Sequence, residues 1–184
     1  MKNFIKRISP ILAIIFILAA YSCKEMHQEQ QGDVEESAAL TDDDFKVLWG
    51  HIDALWEQKD ISLAGNAYAE TFTRISPGGT SSSYDELSNE LNAINGAYPD
   101  MTLDLESYDL CGNRAVVHWS VNGTFTGELG GIKGNGKPFE DVVGVTIMYV
   151  EDGKIVNDES YWDTFSVFAQ TGYSISTPEM ESEE

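Results

Sequence analysis

Apolar side chains recur twice at helical spacing in this chain and then change to strict alternation. Phe45, Leu48, Trp49, Ile52, Leu55 and Trp56 lie three and four residues apart, so a helix gathers them on one stripe. Thr41 stands at its N-cap. Asp42, Asp43 and Asp44 fill the first turn, where negative charge suits the helix dipole. Leu40 and Phe45 hold the two positions of a hydrophobic staple. A short second helix is expected over Ile61–Tyr68, then a strand over Thr71–Ile75 and a turn at Ser76-Pro77-Gly78-Gly79-Thr80. Ser83 and Glu86 have capping-box spacing, and Tyr84, Leu87, Leu91, Ile94 and Tyr98 form a second amphipathic stripe that Gly96 and Pro99 close.

Beyond Pro99 the period is two. Met101–Leu110 alternates through Leu103 and Leu105, and Arg114–Phe125 sets Ala115, Val117, Trp119 and Val121 against Val116, His118, Ser120 and Asn122. After the glycine-rich loop Gly127–Gly136, a long strand Lys137–Val150 turns at Asp152-Gly153 into a last strand, Lys154–Trp162. Asp163–Gln170 is expected to be a closing turn or helix with Phe165 and Phe168 turned inward. Helices first, one short strand, a helix and then a four-strand meander predict an α+β domain, with helices packed on one face of a curved antiparallel sheet.

The first residues follow another pattern. Lys2, Lys6 and Arg7 precede an apolar run from Ile11 to Tyr21, which is shorter than the roughly 20 residues of a membrane-spanning helix and suits the core of an export signal. Leu18-Ala19-Ala20-Tyr21-Ser22-Cys23 resembles a bacterial lipoprotein signal, although Ala20 and Tyr21 depart from its usual pattern. The resemblance implies cleavage before Cys23, a lipid on Cys23, and a chain anchored to a bacterial membrane on its periplasmic or cell-surface side. The alternative is an ordinary cleavable signal with Cys23 a bystander. The expected organisation is a signal over 1–22, a polar flexible tether over 23–40, a domain over 41–173 and an acidic tail over 174–184.

Charge narrows the range of partners. The chain carries 31 acidic and 11 basic residues, a net charge of −20; loss of Lys2, Lys6 and Arg7 leaves 8 basic against 31 acidic, or −23. Nucleic acid is a poor partner for such a surface, because binding it needs a basic face. With Cys23 assigned to a lipid, Cys111 has no intramolecular partner and reads as a small loop or strand-end residue rather than a nucleophile. His27, His51 and His118 are scattered, so no metal site is expected. Gly131-Ile132-Lys133-Gly134-Asn135-Gly136-Lys137-Pro138 nearly spells a phosphate-binding loop, but Pro138 stands where Ser or Thr would hold magnesium, and a strand follows. No Gly-x-Ser-x-Gly elbow exists to support a serine nucleophile.

Three fragments carry a resemblance over about Asp60 to Gly172: Ala97-Tyr98-Pro99-Asp100-Met101-Thr102-Leu103; Asn113 to Gly127, through Val117-His118-Trp119; and Glu151-Asp152-Gly153-Lys154-Ile155-Val156 followed by Tyr161-Trp162-Asp163. In order and spacing they resemble the SnoaL-like polyketide cyclases, or ester cyclases, of the nuclear transport factor 2-like superfamily. The resemblance implies a cone-shaped α+β barrel with a deep apolar cavity, and a cofactor-free intramolecular aldol ring closure. It places the acid/base at Asp163. Beside Tyr161, Trp162, Phe165 and Phe168, that carboxylate can be partly desolvated, which raises its pKa; equally, Asp is a favoured helix cap. His118 polarises a carbonyl or shuttles a proton if its face lines the cavity, and does nothing special if that face meets water. Arg74, Tyr84, Tyr149 and Tyr161 are further lining candidates. Trp49 and Trp56 belong to the core stripe first and to a ligand second. Phe125 and Ile75 stand near positions where the family often places polar residues, which makes the expected pocket less polar than a working cyclase's.

Three functions are therefore open. One is a cofactor-independent cyclase or isomerase acting on a small apolar carbonyl compound. Another is a non-catalytic lipoprotein binding a small apolar molecule in the same cavity. The last is a homodimerising or partner-binding module using its open sheet face.

Overall fold

The computed structural model describes residues 39–174. The export signal 1–22, Cys23, most of the tether and the tail from 175 onward lie outside the described residues. Helix α1 spans Asp42–Gln58; Thr41 caps it by accepting the Asp44 N–H at 3.2 Å, and Lys59 ends it in a left-handed conformation. Phe45, Leu48, Ile52 and Leu55 are its buried stripe, as the spacing predicts.

The expected second helix shrinks to a 3-10 turn, Ile61–Leu63, and a single turn, α2, Ala64–Ala67. Gly65 and Asn66 are weak helix formers, and Tyr68 is already extended. Strand β1 therefore starts earlier than the apolar pattern suggests, running Tyr68–Ser76, and pairs with a three-residue strand β2, Gly79–Ser81, that the sequence reading treats as turn. Helix α3 is Tyr84–Ala97, capped by Ser83. Strands β3 (Thr102–Cys111) and β4 (Arg114–Phe125) follow. The glycine-rich loop then folds into a small hairpin, β5 (Glu128–Leu129) and β6 (Ile132–Lys133). Strands β7 (Lys137–Glu151) and β8 (Lys154–Trp162) and a short helix α4 (Thr164–Gln170) complete the domain.

The main sheet runs β2-β1-β8-β7-β4-β3. The meander β3-β4-β7-β8 is antiparallel throughout, and β1 joins it parallel to β8. That one parallel join opposes Arg74 to Asp158, and the β7–β8 pairing opposes Thr146 to Ser160. The inward rows of β4, β7 and β8 meet the stripes of α1 and α3 in one core, so the α+β expectation holds.

Two glycines let backbone and rings approach. Gly144 lies opposite Trp119, and a Cβ there would come within 2.3 Å of the indole. A Cβ on Gly127 would come within 1.8 Å of the Gly96 carbonyl oxygen, where Thr126 and Gly127 both donate their N–H to Ala97.

Candidate functional site

Between the helices and the concave face of the sheet lies a cavity of about 80 Å³. That is room for several waters or a small organic molecule. Ile52 of α1, Ile94 of α3, Val121 of β4 and Met148 of β7 supply aliphatic wall. All four tryptophans of the chain, Trp49, Trp56, Trp119 and Trp162, line it. Tyr98 also faces it, and burial pushes its phenol up to about 12.

One part of this wall is polar. Asp158 of β8 is 1 % exposed and Arg74 of β1 is 5 % exposed. Arg74 Nη1 donates to both oxygens of Asp158, at 2.6 and 2.9 Å, and to Ser160 Oγ at 2.8 Å. Its Nε and Nη2 reach the two carboxylate oxygens of Glu90 on α3, at 3.0 and 3.1 Å. Its guanidinium carbon lies 5.5 Å from the centre of the Trp56 ring. The Tyr68 hydroxyl donates to Asp158 Oδ2 at 2.6 Å. Trp119 Nε1 donates to Thr146 Oγ1 at 2.9 Å, and Thr146 and Ser160 share a hydrogen bond of 2.7 Å. Burial opposes the charge of Arg74, but Asp158 and Glu90 together hold its pKa well above the usual guanidinium value. Burial, and then the charge of Asp158, push the Tyr68 phenol well above its normal range.

The structure divides the residues expected from sequence. Trp49 and Arg74 line the hollow. Asp163 does not. It is exposed and is the N-cap of α4, accepting the Ser166 N–H at 3.0 Å and the Ser166 hydroxyl at 2.5 Å. Those bonds hold its pKa below the ordinary carboxylate value, opposite to the shift that desolvation would produce. His118 is exposed, because the core takes the other row of β4, Ala115, Val117, Trp119 and Val121. The same parity turns Tyr149 outward between buried Met148 and Val150, and leaves Tyr161 51 % exposed between Ser160 and Trp162. Tyr84 stacks on Phe72, and its hydroxyl donates to the backbone oxygens of Tyr68 and Ala69, so it braces the start of β1. Phe165 is 54 % exposed, whereas Phe168 packs on Phe125 as expected.

Sequence reasoning missed Tyr68, Glu90, Thr146, Asp158 and Ser160. A signal for two of them existed. Counting by twos back from Trp162 puts Ser160 and Asp158 on one face of β8.

The SnoaL-like polyketide cyclase family model matches residues 46–171. The chain belongs to this family. No curated protein sequence matches it. Solved structures share the SnoaL-like fold. TsrD from Streptomyces laurentii has a TM-score of 0.66 at 19 % identity, over 73 % of this chain and 99 % of its own. IdmH from Streptomyces antibioticus has a TM-score of 0.60 at 21 % identity, over 68 % and 96 %. A SnoaL-like protein of Jannaschia sp. CCS1 has a TM-score of 0.60 at 14 % identity, over 79 % and 100 %. At such identities the likeness is one of fold.

Proposed function

We propose that this SnoaL-like domain binds a small, mainly apolar molecule in the hollow, with the Arg74–Asp158 cluster orienting the ligand's polar end. The observation that carries this reading is an aromatic and aliphatic wall interrupted by a single buried ionic cluster. Acid/base turnover by Asp163 has no support in geometry, since that side chain caps a helix in solvent. Native mass spectrometry of the full chain equilibrated with host extract is expected to recover a bound small molecule, equally from Asp163→Ala. Recovery of none would end the proposal.

A second reading keeps the family's chemistry and moves it to Asp158, the carboxylate that lines the hollow beside the Tyr68 hydroxyl. Ring closure or isomerisation of a carbonyl compound would then need no cofactor. Against it, Asp158 already accepts three short hydrogen bonds from Arg74 and Tyr68. Proton exchange at the carbon next to a carbonyl in a bound ketone, lost in Asp158→Asn, would favour it over binding alone.

We further propose export and anchoring to a bacterial membrane through a lipid on Cys23, from the basic start and short apolar run before it. Metabolic labelling with a fatty acid should mark the wild-type chain. Labelling of Cys23→Ser to the same extent would reject the anchor.

A further inference from the structure

Resting on the binding proposal above, we propose that the ligand is a small organic cation, a tertiary or quaternary ammonium held by the tryptophan walls beside a buried cluster of net negative charge.

The chain spends every tryptophan it has on this hollow. Tryptophan is the side chain whose ring face best attracts a cation, and that attraction grows when water is excluded. The cluster points the same way. Asp158 and Glu90 bring two negative charges and Arg74 one positive charge, leaving −1, and the Glu90 side chain is only 10 % exposed. An anionic ligand finds the guanidinium largely taken, since Nε and Nη2 of Arg74 each donate to Glu90 and Nη1 donates to Asp158 and Ser160, which leaves one N–H of Nη2. A neutral hydrogen-bonding ligand finds the Tyr68 hydroxyl spent on Asp158 and the Trp119 N–H on Thr146, which leaves it chiefly the Tyr98 hydroxyl. The surplus negative charge belongs to Glu90, which does not itself line the hollow but is hydrogen-bonded to Arg74, which does. It acts through space on a cation held at the faces of Trp49, Trp119 and Trp162, Trp56 already having Arg74 over its ring. At long range, the chain's net charge of −20 raises the local concentration of cations in the same sense.

The test uses two probes of the same shape. Phenyltrimethylammonium and tert-butylbenzene differ in one atom, a charged nitrogen in place of carbon. Each is titrated into the full chain by calorimetry in 0.5 M NaCl, which screens surface attraction but not a buried contact. The expected result is that the cation binds about tenfold tighter or more, and that Glu90→Gln, which keeps an acceptor for Arg74, brings the preference below about threefold. Equal binding, or tighter binding of tert-butylbenzene, overturns the cation and leaves the apolar-ligand proposal standing. A preference unchanged in Glu90→Gln overturns the part given to the cluster. Failure of both probes to bind overturns this inference and counts against the binding proposal itself. If Glu90→Gln does not fold, the wild-type comparison still decides for or against the cation.

Discussion

Arg74 stands between two acidic side chains from different elements, Asp158 on β8 and Glu90 on α3, and all three are withdrawn from water. Charges in that position are costly to uncover, because a buried ion stabilised by its partner becomes an uncompensated charge when the partner is removed. Arg74→Met is therefore expected to destabilise the domain by roughly 3–5 kcal/mol, since it strands two carboxylates at once. The triple variant Arg74→Met, Glu90→Gln, Asp158→Asn should recover much of that loss, as neutral partners tolerate burial far better. Urea unfolding midpoints at constant m-value measure both. A single variant as stable as wild type would mean that the cluster opens to solvent and does not form the buried wall described.

At the scale of elements, acidic side chains cap the 3-10 turn and helix α4 and hold one loop. Asp60 accepts the Ser62 N–H, Asp163 the Ser166 N–H, and Asp100 the Thr124 N–H. Hydrogen bonds from their partners hold all three pKa values below the ordinary carboxylate value. A depressed folded-state pKa means stability that is fully present above the unfolded value, near pH 4, and lost as pH falls through the folded one. Wild type should thus lose stability below about pH 4. The double variant Asp60→Asn, Asp163→Asn retains capping oxygens that do not titrate, so it should lose less between pH 4 and pH 2.5 in thermal melts. Strand β7 makes a different demand. Gly144→Ala places a methyl group against the Trp119 indole, and the strain of overpacking is expected to cost about 1–3 kcal/mol. Displacing that ring also breaks its bond to Thr146, so the tryptophan emission should shift with the stability. These elements also show what could be read in advance. The helix α1, the helix α3 and the meander follow from periodicity and caps, because those signals are local. The period-two rows of β4 and β8 were visible too. Which row faces the core depends on the packing of α1 and α3, and His118 and Tyr161 fell on the wet side. The start of α4 admitted either a cap or a catalytic acid at Asp163, and the hydroxyl and N–H of Ser166 decide for the cap.

For the whole molecule, the decisive feature was non-local. Arg74 and Asp158 are 84 residues apart, and only the parallel pairing of β1 with β8 brings them together. No spacing along the chain announces that join, so the polar wall of the hollow stayed hidden while its helices did not. The same assembly gives the molecule an internal reporter. Trp119 is 8 % exposed, and Trp49, Trp56 and Trp162 are half-buried around one hollow, with no other tryptophan elsewhere to dilute the signal. A ligand seated there excludes water from all four rings together. Saturation with tert-butylbenzene should therefore lower the acrylamide quenching constant of the tryptophan emission at least about twofold, because the half-buried rings dominate quenching and each loses its exposed edge. A ligand bound on the outer face of the sheet, among Val143, Tyr149 and Tyr161, would leave quenching at its unliganded value, since no tryptophan lies among those exposed side chains. Quenching that stays constant while calorimetry reports saturable heat would move the binding site out of the hollow and onto that face.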